Sequence, residues 1–193
     1  DRVKTEGAPV VDPAPVDPAP VDRAPVDRAT VVKPTSSASL ATGDQLSVLS
    51  AQLDVPVQGV SRADLHDTFN EMRGGRIHEA LDILAARGTP VLSATDGRLL
   101  KLFDSKRGGL MVYATDVSEN FILLYGHLDG YAAGLTEGAM LKRGQVLGYV
   151  GTTGNAPPET PHLHFGILRG DPAKSWSKGS PVNPYPLLVG SPR

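Results

Sequence analysis

Two histidines, His162 and His164, stand two residues apart in Pro161-His162-Leu163-His164-Phe165, between apolar neighbours. On a strand, period-2 alternation puts both imidazoles on one face and turns Leu163 to the other. Two imidazoles converging on one spot are costly in a core and useful at a metal site. The chain has five histidines. Four of them, His78, His127, His162 and His164, fall where they could meet; His66 has no evident place in the group.

A second cluster is His78-Glu79-Ala80-Leu81-Asp82. His78 and Asp82 are four apart, a spacing that shares a face on a helix and also on a strand, so it does not choose between them. Neutral imidazole with carboxylate is good zinc chemistry. Three such protein ligands leave an open fourth position for water, the arrangement of catalytic zinc. His-Glu-x-x-Asp also looks like a variant of the metalloprotease helix in which Glu79 would be the general base. Gly74, Gly75, Gly88 and Pro90 leave little room for that helix. On a strand, Glu79 points away from both neighbours. A third element, Tyr125-Gly126-His127-Leu128, places a histidine at the end of an apolar strand.

The elements that must position these groups read as a compact all-β domain. From residue 69, short apolar runs are separated by Gly, Pro, Asp and Asn about every ten residues. Strands are expected over 80–84, 90–94, 97–103, 110–115, 121–127, 146–151 and 162–168, with turns at Asp96-Gly97, 106–109 and 118–120. The loop Gly151-Thr152-Thr153-Gly154-Asn155 is glycine-rich, but it carries no lysine and opens no helix, which argues against phosphate binding. Residues 172–193 read as a turn-rich tail whose Trp176, the sole tryptophan, packs against the domain. Ahead of residue 69, Leu46, Leu49 and Leu53 predict a short helix over 44–53. Val55-Pro56-Val57 reads as extended, and Ser61-x-x-Asp64 as a capping-box-like start of a short turn. Residues 44–68 are expected to cover part of the site that these groups form.

Residues 1–43 are a low-complexity linker. Val-Asp-Pro-Ala-Pro recurs with a five-residue period, as in Val11-Asp12-Pro13-Ala14-Pro15, too short to be a solenoid unit. Proline removes backbone donors and favours polyproline II, so a disordered tail or semi-rigid spacer is expected. The organisation is thus 1–43 linker, 44–68 short extension and 69–188 main domain. Composition bounds the chemistry further. There is no cysteine, so a metal must use His and carboxylate. The formal net charge is −2 and no basic stripe stands out, which argues against nucleic acid as a partner. No apolar run is long enough to span a bilayer.

In order, His78-x-x-x-Asp82, Tyr125-Gly126-His127-Leu128 and Pro161-His162-Leu163-His164-Phe165 resemble the M23 metallopeptidases, the lysostaphin and LytM type. Gly88-Thr89-Pro90-Val91, Asp96-Gly97 and the run from Gly144 to Asn155 match as well. The resemblance covers about residues 69–170 and more loosely reaches Leu188. It implies a mainly β, antiparallel-sheet domain of the LytM or duplicated-hybrid-motif type, with the site in a groove. It implies one zinc ion on His78, Asp82 and His164, and His127 and His162 as catalytic histidines, with the division of roles between them left open. It implies a zinc endopeptidase that cuts peptide cross-links of bacterial cell-wall peptidoglycan, a periplasmic or secreted location, and peptide stems as partner. A membrane or lipid anchor upstream of residue 1 is compatible with this, as is a free protein, and the oligomeric state is left open. Some family members lack the ligands and act as activators of other wall enzymes. The alternative expectation is therefore a non-catalytic peptidoglycan-binding module or amidase activator.

Overall fold

A computed structural model of the chain describes residues 42–190; the Pro-rich repeat lies outside them. In chain order the elements are helix α1 (Thr42–Gln52), a 3-10 turn (Arg62–Asp64), strands β1 (Met72–Arg73), β2 (Arg76–Ile77), β3 (Leu81–Leu84), β4 (Pro90–Leu92), β5 (Gly97–Ser105), β6 (Gly109–Asp116), β7 (Phe121–Tyr131), β8 (Met140–Leu141), β9 (Val146–Val150), β10 (His162–Arg169) and β11 (Ser180–Val182), and helix α2 (Pro184–Val189). Strands β3–β11 form one sheet whose pairings are all antiparallel, and β1 and β2 form a separate hairpin. Each of the seven expected strands is present. The mainly β, antiparallel class is the observed one.

Strand β10 is the hub. One of its edges pairs with β7; the other pairs first with β3 and then with β11. Alternation along β10 works as the pattern requires: Leu163, Phe165 and Ile167 are fully buried in the core, leaving His162 and His164 to the opposite face. On β3, Leu81 and Ile83 enter the same core while Asp82 faces the other way. The register pairs His164 with Asp82 across the ladder. One residue of slip would bury the carboxylate and both imidazoles and expose the leucines, so burial itself fixes the register.

The segment 44–68 packs into the core of the domain. Leu49, Leu53, Val57 and Leu65 are buried in the same cluster as the strand side chains. Its backbone is stitched to β4 and its flank: Asp54 N–H donates to Ala94 O at 2.8 Å, Gln58 N–H to Pro90 O at 3.0 Å, and Leu92 N–H to Pro56 O at 2.9 Å. The expected turn at Ser61 forms with the expected chemistry, the Ser61 N–H donating to Asp64 Oδ2 at 3.0 Å. Trp176 packs as expected, its ring 4.8 Å from that of Tyr113 and 5.2 Å from that of Phe103. The tail holds more order than its composition suggests. β11 adds to the hub edge, and α2 begins at Asn183-Pro184, where the Asn183 side chain accepts the Tyr185 N–H.

Candidate metal centre and active-site groove

The hub register delivers three donor atoms to one point. His78 Nε2 lies 3.0 Å from His164 Nδ1 and 3.1 Å from Asp82 Oδ1, and His164 Nδ1 lies 3.2 Å from that same oxygen. A tetrahedral zinc with ligands at about 2.0–2.1 Å requires about 3.3 Å between neighbouring donor atoms. The three separations are therefore those of one face of such a tetrahedron, and the residues fit the ion. Among the described residues this is the one group of three His, Cys, Asp or Glu that could hold a metal.

The tautomers agree with that use. His78 Nδ1 is 3.0 Å from the Thr68 carbonyl, so its N–H donates there and the lone pair of Nε2 faces the cluster. Thr68 also holds the carboxylate strand: its hydroxyl accepts the Asp82 N–H at 3.0 Å and donates to Ala80 O at 3.2 Å. Burial pushes the Asp82 carboxyl up, but the adjoining His164 and His78 rings and the Arg73 guanidinium outweigh it and hold it well below the usual carboxylate range. It stays anionic at neutral pH.

His127 reaches the site by a break in the ladder. On β6, Leu110 and Val112 pair with Leu128 and Tyr125 of β7, so β7 carries one extra residue across that interval. This β-bulge falls at Gly126-His127, and His127 has φ of 60°, a left-handed conformation that non-glycine residues seldom adopt. The bulge re-aims its ring to 5.0 Å from that of His162 and 5.5 Å from that of His164. His127 Nδ1 donates to the Thr153 carbonyl at 2.8 Å, and His162 Nδ1 to the Thr160 carbonyl at 2.8 Å. Each ring then has its Nε2 on the side away from those loops. Burial draws the His127 pKa down to about 4, against the opposing pull of the Thr153 hydrogen bond, so the ring is a neutral base at pH 7. His162 Nε2 lies 3.6 Å from Asp82 Oδ2.

All five expected site residues therefore gather at one place. His66 does not join them; it is exposed and lines one wall of the groove. Glu79 lies outside both helix and strand, with φ of 59° and its side chain exposed just before β3. The groove has a volume of about 700 Å³. Asp82, His127 and His162 line it, flanked by Leu65 and Thr68 on one side and by Asn155 and Thr160 on the other. The extension thus supplies one wall.

Three contributors were not singled out from sequence. Thr68 and Thr153 act through carbonyls and hydroxyls, which leave no pattern. Arg73 did leave one: Gly74-Gly75 between Met72-Arg73 and Arg76-Ile77 is a two-residue hairpin signal, and both glycines have the positive φ that such a turn needs.

Comparison with known proteins identifies the family. The profile of peptidase family M23 matches residues 76–184. The L-Ala–D-Glu endopeptidase of Bacillus subtilis (strain 168) is 36% identical over 120 residues, which cover 60% of this chain and 35% of that protein. The peptidoglycan DD-endopeptidase ShyC of Vibrio cholerae is 33% identical over 104 residues, 54% of this chain and 22% of that protein. The chain thus spans about a third or less of the length of these relatives. The structure of lysostaphin from Staphylococcus simulans superposes with a TM-score of 0.59 at 23% identity, over 72% of this chain and 54% of that one, which shows a shared fold. The matched region takes in β2 through the start of α2 and every residue of the cluster, and the chain belongs to peptidase family M23.

Proposed function

We propose that this domain is a zinc endopeptidase that hydrolyses peptide bonds in the peptide stems or cross-links of bacterial cell-wall peptidoglycan, outside the cytoplasm. The observation that carries the reading is the joint placement of three donor atoms at zinc-ligand separations and two further imidazoles beside them. The endopeptidase activities named for the relatives support the substrate class.

His78, Asp82 and His164 would hold the ion. Zinc so bound supplies a Lewis acid for the scissile carbonyl and lowers the pKa of a water molecule. His127 is the proton acceptor: its Nδ1 is committed to Thr153, its Nε2 is free, and burial keeps it neutral. His162, held at Nδ1 by the Thr160 carbonyl and with Nε2 beside the Asp82 carboxylate, is the second imidazole, available to stabilise the oxygen that gains charge as the peptide bond is attacked. The groove walls restrict bulk water and fix the extended peptide across the floor.

The test is mass spectrometry of soluble fragments released from purified cross-linked peptidoglycan, with zinc and after chelation. New peptide ends that appear only with zinc are expected, and they would name the bond. A zinc-loaded protein that binds the sacculus and releases nothing would replace this reading with the non-catalytic binding or activator role.

A further inference from the structure

Arg73 is the one Lys or Arg among the described residues lining the groove. It stands on β1, in a hairpin whose four strand residues are all exposed and which no other strand joins. The Gly74-Gly75 turn has open space around it. From there the guanidinium reaches back over the metal centre. One terminal nitrogen, Nη1, pairs with Asp82 Oδ2 and lies 3.4 Å from His78 Nε2; the other, Nη2, pairs with Glu71 Oε2 at 2.6 Å. The arginine side chain is 44% exposed, whereas that of Asp82 is 9% exposed.

The pairing takes Asp82 Oδ2 and not the Oδ1 of the donor face, so a bound dication would oppose it through charge and not through competition for a ligand atom. His78 Nε2 is the atom whose lone pair faces the donor cluster, so a dication bound there lies close to Nη1 and repels it. The same ion draws on the charge of Asp82, which weakens the carboxylate's hold on the guanidinium. What remains is a planar, permanently charged donor fork at the groove rim, with Glu71 on its outer side and an opening on its inner side. A guanidinium in that position suits a carboxylate in bidentate geometry better than any neutral group.

We propose, building on the peptidoglycan reading above, that Arg73 is a specificity-determining residue: in the zinc-loaded protein it turns from Asp82 to a free carboxylate of the peptide stem and selects anionic stems over neutral bridges. Peptidoglycan stems carry free carboxylates, whereas amidated stems and all-glycine bridges do not offer one beside the bond. The exposed hairpin and its glycine turn let the arginine make this exchange without disturbing β3. Arg73 touches substrate rather than the reacting atoms, so its loss acts on binding.

The experiment is calorimetric titration of the zinc-loaded protein with a synthetic stem peptide in free-acid form and with the same peptide as its carboxamide. Zinc content is measured on each variant. The unmodified protein is expected to bind the acid form about 10- to 100-fold more tightly, the worth of a charge-assisted hydrogen-bonded pair. Arg73→Gln and Arg73→Ala should erase that preference while retaining zinc, and Arg73→Lys should keep part of it. Equal binding of acid and amide by the unmodified protein, or undiminished preference in Arg73→Ala, overturns the proposal. So does loss of zinc from Arg73→Gln, which would make Arg73 a support for Asp82. Binding of neither form by the unmodified protein overturns it together with the peptidoglycan reading. Selective binding of the acid form without fragment release upholds it and removes the hydrolase reading alone.

Discussion

Thr153 is the residue through which the glycine-rich loop holds His127, and Thr153→Val isolates that role. Its hydroxyl accepts the Leu110 N–H at 3.0 Å and donates to the Leu128 carbonyl at 2.7 Å, so it ties the loop to β6 and to the residue after His127. Its own carbonyl accepts the His127 Nδ1–H. Valine keeps the volume and removes the hydroxyl, leaving the N–H and the C=O without that partner. Each lost hydrogen bond costs about 0.5–1.5 kcal/mol net, and more if water cannot reach the group, so a loss of about 1–3 kcal/mol is expected. Release of the loop also frees the His127 ring, and a displacement approaching 1 Å costs up to about 100-fold in rate. Thr153 makes no hydrogen bond to the three donor residues, so zinc should stay. Urea denaturation, kcat on one peptidoglycan fragment, and zinc content measured on Thr153→Val and Thr153→Ser check this together. The serine variant should retain most of the stability and rate. Unchanged stability and kcat in the valine variant would refute the argument, and loss of zinc would show that the loop supports the metal centre instead.

Other expectations follow from the same contacts. Leu53 is 1% exposed at the end of α1 and packed among strand side chains, so Leu53→Ala should cost about 2–5 kcal/mol in denaturant unfolding; a loss below 1 kcal/mol would mean that the extension is not part of the core. Removal of residues 42–68 would accordingly be expected to unfold the domain, not to speed it. Glu79 has positive φ and no part in the cluster, so Glu79→Gly should keep full kcat and equal or greater stability; a collapsed rate in folded protein would restore a catalytic role. The zinc-free protein should lose stability as pH falls from about 6.5 to about 4. Folded His127 binds its proton only near pH 4 while the unfolded ring binds it near 6.5, so the unfolded state takes up more protons in that window. His127→Gln should remove a share on the order of 1–3 kcal/mol of that fall, measured by urea titration across the range.

What could be read from the chain follows from which interactions are local. Alternation in His162-Leu163-His164-Phe165 reports directly on which face is buried, so the strand and the shared face of its histidines were legible. Glycine and asparagine turns marked the ends of β5 and β6 for the same reason. The meeting of Asp82 with His164 is a long-range register, and neither segment encodes it alone; only the recurrence of three motifs in family order pointed to it. The bulge at Gly126-His127 was invisible because nothing in Tyr125-Gly126-His127 distinguishes an extra residue from a regular strand. The extension's place in the core was hidden for a related reason: Leu49 and Leu53 indicate an apolar face but not what it packs against. The β1–β2 hairpin carried a readable Gly-Gly turn. Its importance lies in the reach of the Arg73 side chain, which spacing does not report.

The central claim is that the five residues divide into three that hold zinc and two that work beside it. Zinc per chain, measured by elemental mass spectrometry on purified His164→Ala and His127→Ala with folding checked by circular dichroism, tests it most directly. The account predicts one zinc in the unmodified protein and in His127→Ala, and little or none in His164→Ala. Full zinc in folded His164→Ala, or its loss from folded His127→Ala, would contradict it.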